Sequence, residues 1–321
     1  MQNTKIWCLG DAVIDLLPLE NKQYQACAGG APANVAIGIA KLGHDAGFIG
    51  RVGDDPFGRF MQETFESYQV DCQSLEFDPT VKTSTVVVDL GKSGERSFTF
   101  LVSPSADQFL SQSAIPSFKQ DILHFCSLAL VGPTCRATLK QAIKQLKSQQ
   151  GKVSFDINLR EQMWADKQEM RQIISLFAKD ADILKLSDEE LFWLTESQDW
   201  SIALAKLDEQ YAAQLKIITK GSEGSTVLWR NKQYQYPAYK VQSIDTTGAG
   251  DAFVAGLLCT IGINGLPDEL IAVDTMISVA SACGALATTQ KGALTAFPDN
   301  DYLQSFIAEN RTLDSQIISR L

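Results

Sequence analysis

The strongest constraint on this chain is a rhythm: short apolar runs alternate with segments of helical spacing, from the first residues onward. Lys5–Leu9 reads as a buried strand. Ala33–Leu42 places Val35, Ile37, Ile39, Ala40 and Leu42 at helical spacing and stops at Gly43. Ala46–Val52 reads as a second strand, ended by Gly53-Asp54-Asp55-Pro56, and Phe57–Tyr68 as a second helix. The same order returns as strand Asp121–Leu130, helix Thr138–Gln149, strand Val153–Ile157, helix Gln168–Ala178, strand Ile183–Leu186, helix Asp188–Leu194 and strand Leu215–Lys220. Two helices, about Ala249–Gly262 and Pro267–Thr289, carry the small residues of a close-packed pair. Strands that alternate with crossover helices pair in parallel, so the expected class is α/β, a mainly parallel sheet flanked by helices.

Two segments interrupt the rhythm. Ala12–Cys27 reads as strand, turn, strand. Thr83–Leu90 and Arg96–Val102 are β-rich runs joined by Gly91-Lys92-Ser93-Gly94, a hairpin signal. Neither has room for a crossover helix. They are expected to combine into a small antiparallel sheet projecting from the main body, a β-sheet lid of residues 12–27 and 83–102, with residues 1–11, 28–82 and 103–321 forming the α/β core.

Composition narrows the function classes. The 321 residues suit one large α/β unit or two domains. The net charge of −10 argues against a nucleic-acid partner, because an acidic surface repels the phosphate backbone. The seven cysteines form no C-x-x-C pair and mostly sit in apolar runs, as buried free thiols of a reducing compartment do. With only His44 and His124, a three-histidine zinc site is excluded. His124 reads as a core or strand-end residue and His44 as a turn residue after Gly43. The uncharged run Ala252–Leu266 is short and glycine-rich, so no membrane span is expected. The N-terminus opens on a strand without a signal-peptide pattern, which makes the expected location cytoplasmic.

The sharpest motif is Asp245-Thr246-Thr247-Gly248-Ala249-Gly250-Asp251, just before an apolar helix. Glycines at a helix start let a ligand approach unpaired first-turn amides, which form an anion site favoured by the helix dipole. Asp251 is out of place beside an anion unless it takes a proton from a hydroxyl attacking a phosphate. The same carboxylate would also cap free amides. Gly29-Gly30-Ala31-Pro32-Ala33-Asn34 makes a tight turn into a helix, with Pro32 in the first turn and Asn34 able to donate to and accept from a polyol.

Together these two motifs resemble the signatures of the PfkB or ribokinase family of sugar kinases. The resemblance extends to Gly10-Asp11-Ala12-Val13-Ile14-Asp15, Arg51-Val52-Gly53-Asp54-Asp55-Pro56-Phe57-Gly58, Gly94-Glu95-Arg96-Ser97-Phe98, and Asp156-Ile157-Asn158-Leu159-Arg160 with Trp164. It implies a Rossmann-like, ribokinase-like fold with a β lid. Within the family the chain is most similar to bacterial fructokinases, with aminoimidazole riboside kinases close by. The implied reaction is ATP-dependent phosphorylation of D-fructose at the 6-hydroxyl, with Asp251 as base and the amides of Gly248, Ala249 and Gly250 as anion hole.

The resemblance further assigns sugar binding to Asp15, Gly30 and Asn34, with Asp11, Phe98 and Arg160 as further candidates. Strand alternation would put Asp11 on the face of Asp15, and Phe98 on that of Phe100, where the two aromatic rings either cover the sugar or pack a lid dimer. Nucleotide contacts fall to Thr219, Lys220, Gly221 and Gly224. Glu190 takes the acidic position of an Asn-x-x-Glu motif that organises Mg²⁺ through water, although the leading residue here is Ser187. A K⁺ ion would be held by Asp245, Thr247 and carbonyls among Ala287, Gln290 and Gly292. Ribokinases carry Lys where this chain has Ala31 and Asn where it has Val13, and both departures count against ribose. The expected partners are thus a small sugar and ATP, with a homodimer through the lid. The competing readings are an aminoimidazole riboside kinase and, from another class, a non-catalytic sugar-binding regulator.

Overall fold

The computed structural model describes residues 4–90, 96–310 and 316–320. Its strands are β1 (Ile6–Leu9), β2 (Val13–Pro18), β3 (Tyr24–Gly29), β4 (Ala46–Gly53), β5 (Asp71–Asp78), β6 (Ser84–Leu90), β7 (Arg96–Phe100), β8 (Ile122–Cys126), β9 (Lys152–Asp156), β10 (Ile183–Ser187), β11 (Leu215–Thr219), β12 (Ser225–Trp229), β13 (Lys232–Tyr236) and β14 (Gln316–Arg320). Its helices are α1 (Ala31–Lys41), α2 (Pro56–Ser67), α3 (Pro133–Ser148), α4 (Lys167–Ala178), α5 (Asp188–Thr195), α6 (Trp200–Gln210), α7 (Ala249–Asn264), α8 (Leu270–Ala287), the single turn α9 (Ala293–Ala296) and α10 (Asn300–Asn310).

The main sheet runs β14-β13-β12-β11-β10-β9-β8-β1-β4-β5. From β11 to β5 all pairs are parallel, while β12, β13 and β14 extend the edge antiparallel. β1 sits in the middle, Ile6 opposite both Ala46 and Ile122. Buried on both faces, it sends Ile6 and Cys8 into one apolar layer with Val35, Phe48, Leu257 and Ile277, and Trp7 and Leu9 into another with Phe125, Leu139 and Phe155. The expected α/β architecture is therefore present.

α7 and α8 approach closely because small residues line the contact: a Cβ at Gly256 would lie 2.8 Å from Cys283 Sγ. α8 is long and apolar enough to cross a membrane, yet here it is a core helix against α7. The second sheet, β3-β2-β6-β7, gathers the two segments that broke the rhythm, but it is not wholly antiparallel as expected: each segment folds back on itself antiparallel, while the two join through β2 and β6 in parallel. The expected turn Gly91–Gly94 lies outside the described residues.

Several expectations change in detail. The run Asp121–Leu130 is not one strand: β8 stops at Cys126 and Ser127–Leu130 coils into a 3₁₀ turn, where the Ser127 hydroxyl donates to the Asn158 carbonyl at 3.0 Å. α3 begins at Pro133, before the expected Thr138, because proline suits a first turn. His44 is buried with Nε2 2.7 Å from the Thr4 carbonyl, and His124 is a core residue 3.1 Å from the Ser154 hydroxyl. All seven cysteines are free.

Candidate active site

Two cavities open beside the start of α7. The first, of about 290 Å³, is lined by residues from the small sheet, the β1–β2 connection, α1, the segment after β9, and the Thr247–Asp251 turn. The second, of about 570 Å³, lies on the other side of that turn. Gly250 lines both.

Gly248 caps α7 with φ of 77°, a left-handed conformation that glycine adopts without strain. The first turn of α7, whose amides lack intrahelical partners, thereby lines both cavities: Gly248 the smaller, Ala249 the larger and Gly250 the two together. Of the three expected anion-hole amides, Ala249 is already engaged, donating to the Thr246 carbonyl at 3.2 Å. Asp251 follows in the first turn, only 9% exposed, and its Oδ2 accepts from Asn34 Nδ2 at 2.8 Å. Burial raises its pKa above the ordinary carboxylate range; Asn34, Lys185 and Arg160 oppose that rise. A buried carboxylate held ionisable at a helix start can accept a proton.

The first cavity brings together Asp11, Asp15, Gly30, Asn34 and Arg160, as expected of a sugar site. Asp11 does not share a strand with Asp15, as alternation implied. It lies in the connection between β1 and β2, and the bend there still turns it into the same cavity. Its Oδ1 and the Asn34 Oδ1 are buried without a protein partner. Two orphaned acceptors in a polar cavity are acceptors for ligand hydroxyls. Burial, with the neighbouring Asp107 carboxylate, pushes the Asp11 pKa up to about 7. Gly30 has φ of 99°, and a Cβ there would press on the Asp11 carbonyl. A Cβ at Gly29 would meet the Asp15 carboxylate, so the glycine pair is what lets α1 and both acids share the cavity. Phe100 lines the cavity; the Phe98 side chain lies outside the described residues, although its backbone pairs with Val88.

Asn158 has a positive φ of 37° and brings Arg160 round to the cavity. The loop is held by Ser127 and by Glu190, whose Oε1 accepts the Leu159 N–H at 2.7 Å. Glu190 Oε2 accepts the Ser187 N–H at 2.7 Å while the Ser187 hydroxyl caps α5, a capping box.

One residue of the site was not anticipated. Lys185 of β10 is buried, 3.0 Å from Asp156 Oδ2, and its Nζ lies 3.4 Å from where a Gly250 Cβ would stand. Burial alone would lower its pKa, but the carboxylates of Asp156 and Glu190 raise it, so it stays an ammonium. The signal was present: a lysine inside the apolar strand Ile183–Leu186 needs a partner or a task.

Thr219, Gly221 and Gly224 line the second cavity with Thr246, Ala249 and Phe253. Lys220 does not; its ammonium sits 5.4 Å over the Trp200 ring. Gly224 is needed there, since a Cβ would run into the Tyr236 carbonyl.

The residues expected to hold ions fit oxygen-seeking cations. Asp245 Oδ1 accepts from the Thr247 N–H and hydroxyl (3.0 and 2.8 Å), and its Oδ2 from the Gly292 N–H at 3.0 Å. That carboxylate ties the anion-hole turn to the segment after α8, which holds Gln290 and follows Ala287. Carboxylate and carbonyl oxygens are hard donors, suited to an alkali cation. Glu190 keeps lone pairs free beside its two backbone bonds, and a single carboxylate with nucleotide phosphates suits Mg²⁺. Among the described residues no three His, Cys, Asp or Glu side chains form a metal cluster.

An amide-lined helix start between a polar cavity and a larger one, with an ionisable carboxylate beside it, suits phosphoryl transfer from a nucleotide to an alcohol. The pfkB family carbohydrate kinase model matches residues 3–300, and the chain belongs to that family: it is a carbohydrate kinase. A fructokinase of Klebsiella pneumoniae is 48% identical, covering 94% of this chain and 99% of its own length. An aminoimidazole riboside kinase of Salmonella typhimurium is 38% identical, covering 95% of this chain and 96% of its own. The crystal structure of a fructokinase double mutant from Vibrio cholerae O395, with fructose, ADP and potassium ion bound, matches at a TM-score of 0.89 and 47% identity, covering 95% of this chain and 98% of that one.

Proposed function

We propose that this chain is an ATP-dependent fructokinase that phosphorylates D-fructose at the 6-hydroxyl. The observation that carries the reading is the Asp251 carboxylate, buried, aligned by Asn34 and lining the smaller cavity next to Gly250, which lines both cavities. Relatives named fructokinase at 44–48% identity support the choice of sugar. So does the V. cholerae structure with fructose and ADP bound.

In this reading fructose lies in the smaller cavity, its hydroxyls taken by Asp11, Asp15 and Asn34, with Arg160 at the far end. The small sheet is the lid, residues 12–27 and 83–102, and the rest is the core. ATP occupies the larger cavity, its γ-phosphate at the amides of Gly248 and Gly250. Asp251 accepts the proton of the 6-hydroxyl as that oxygen forms its bond to phosphorus. The bond from phosphorus to the bridging oxygen breaks, and ADP leaves with the electron pair. Charge on the transferring group falls between the helix-start amides and Lys185, which need no reorganisation to receive it. Glu190 would hold Mg²⁺ through water, and Asp245, Thr247 and carbonyls near Gly292 a K⁺ ion. Mg²⁺ would supply neutralisation of the nucleotide phosphates. Free buried thiols fit a reducing cytoplasm, and the exposed Leu19, Tyr24 and Leu101 fit a homodimer through the lid.

The test is ATP consumption over fructose, ribose, glucose and aminoimidazole riboside, with and without K⁺, with the product identified by phosphorus NMR. Fructose 6-phosphate as main product supports the reading. Preference for the riboside moves the substrate to a nucleoside, and no turnover with any acceptor leaves a binding protein.

A further inference from the structure

One motif lines neither cavity: Arg51-Val52-Gly53-Asp54-Asp55-Pro56-Phe57-Gly58, at the end of β4 and the start of α2. Its polar groups converge on the segment that leads into β6. Asp55 Oδ1 caps α2 by accepting from the Phe57 and Gly58 amides at 3.0 and 2.9 Å. A cap needs no more than that. Yet Oδ1 also accepts the Thr83 hydroxyl at 2.8 Å, and Oδ2 the Thr83 N–H at 2.9 Å. The Thr83 hydroxyl in turn accepts the Gly53 N–H at 3.0 Å. Thr83 is 1% exposed.

The glycines of the motif are explained by this knot. A Cβ at Gly53 would run into the Asp55 carboxylate and the Thr83 backbone, and one at Gly58 into the Gly53 carbonyl. Behind it, Asp78 Oδ1 accepts the Thr80 and Val81 amides at 2.8 and 2.9 Å, folding the turn between β5 and β6. Its Oδ2 pairs with Arg51 at 2.8 Å. The Val81 amide, with the other donors, holds Asp78 well below the usual carboxylate range.

β6 starts one residue after Thr83 and pairs in parallel with β2, Ser84 opposite Val13 and Val86 opposite Asp15. Parallel register is discrete, so holding Thr83 holds Asp15. Two of the lid's other joints, at Gly10 and Gly30, carry glycine at φ of 148° and 99°, and its exit after β7 is tied by the Ala106 N–H donating to the Lys82 carbonyl at 3.0 Å, beside the knot.

We propose that the Asp55–Thr83 latch is the fixed root of the lid and positions Asp15 against the sugar. This rests on reading the smaller cavity as the sugar site. Thr83 and Asp55 are positioning residues; neither lines the cavity.

Thr83→Val removes the hydroxyl, keeps the side-chain shape and leaves the α2 cap intact. Hydrogen exchange of the whole protein and calorimetric titration with fructose, and separately with ADP, are compared for wild type, Thr83→Val and Thr83→Ser. The expected result is faster exchange across β2 and β6 in the valine variant with α2 and α7 unchanged. Its fructose Kd rises about tenfold at unchanged ADP Kd, and serine restores both exchange and affinity. If the valine variant fails to fold, Asp55→Asn keeps the cap acceptor but turns a donor toward the Thr83 N–H, and the same pattern is expected. Unchanged exchange in β2 and β6 overturns the latch, as does equal weakening of fructose and ADP, which marks general destabilisation. Should the wild type not bind fructose while the exchange pattern holds, the sugar reading fails and the latch stands.

Discussion

Asp251→Asn isolates the proton-transfer role, because little else changes. The carboxylate accepts one hydrogen bond, from Asn34 Nδ2 at 2.8 Å, and an asparagine amide oxygen can accept the same bond from the same place. Shape, burial and the α7 first turn are kept, and only the base is lost. A positioned base contributes roughly 10²–10⁴ in rate. The expected fall in kcat is therefore about two to four orders of magnitude, or about 3–5 kcal/mol of barrier. Fructose and ADP affinities should stay within about threefold, since hydrogen-bond geometry survives. The assay is ADP release at saturating fructose and ATP, with calorimetry for each ligand alone. The pH profile adds a second reading. Burial raises the Asp251 pKa, and under the proposed base role the ionised form is the active one. Wild-type kcat should then rise with pH through a value above the ordinary carboxylate range, and the residual activity of the variant should lack that limb. A kcat within about tenfold of wild type, or an acid limb that persists in Asp251→Asn, would refute the base assignment.

Gly250→Ala meets only Lys185 Nζ at 3.4 Å, so the fold tolerates it and Tm should hold or rise; kcat should fall because the new methyl stands where phosphate approaches, as a thermal melt paired with steady-state kinetics will show. Lys185→Met strands the buried Asp156 and should lower both Tm and kcat, whereas adding Asp156→Asn should recover Tm but not kcat. Asp11→Asn should stabilise the protein at pH 8 while raising the sugar KM. The folded pKa of about 7 exceeds the unfolded value, so the protonated carboxyl favours the fold at low pH and that advantage is lost as pH rises from about 4 to about 7. Denaturant unfolding of both proteins at pH 5 and pH 8 should show a gain of up to about 4 kcal/mol at the higher pH, much reduced at the lower.

The parallel half of the main sheet was legible because its strands are short, mostly apolar runs alternating with segments of helical spacing: Ile6–Leu9 is wholly apolar, and Ile183–Leu186 is apolar but for Lys185. The antiparallel edge was not. Ser225–Trp229 starts with two hydroxyl residues and lies only five residues after β11, too short a gap for the helical rhythm to mark it. α6 carried a signal that went unread: the Asp199 side chain accepts the Ile202 N–H at 2.9 Å, as a helix cap does. The two halves of the site, Asn34 and Asp251, stand 217 positions apart. No local pattern joins them, and the family resemblance alone did so in the sequence. The loop after β11 was marked for nucleotide only through the family resemblance; Thr219, Gly221 and Gly224 line the larger cavity, whereas the Lys220 side chain turns to a cation–π contact over the half-buried Trp200 ring.

The charges around the smaller cavity favour a neutral guest. Asp11, Asp15, Glu190 and Asp251 line it against Arg160 and Lys185. Carboxylates accept hydroxyl hydrogens and give nothing to a phosphate, so a polyol gains from this lining while a sugar phosphate meets repulsion. Lys185 stands at the Gly250 end, and the larger cavity beyond is lined largely by small and hydroxyl side chains such as Thr219, Thr246, Ala249 and Thr288. In the proposed reading Lys185 is the cation at the Gly250 junction, Lys240 and Glu223 stand in the larger cavity, and carboxylates outnumber cations on the sugar side. In the proposed reaction, transfer would leave the product's dianion next to Asp251, which has then taken a proton. When that proton leaves to solvent, the restored carboxylate opposes the phosphate at close range in a buried site, where charges are weakly screened. If Asp251 is the base, as proposed, the same residue also helps to expel the product.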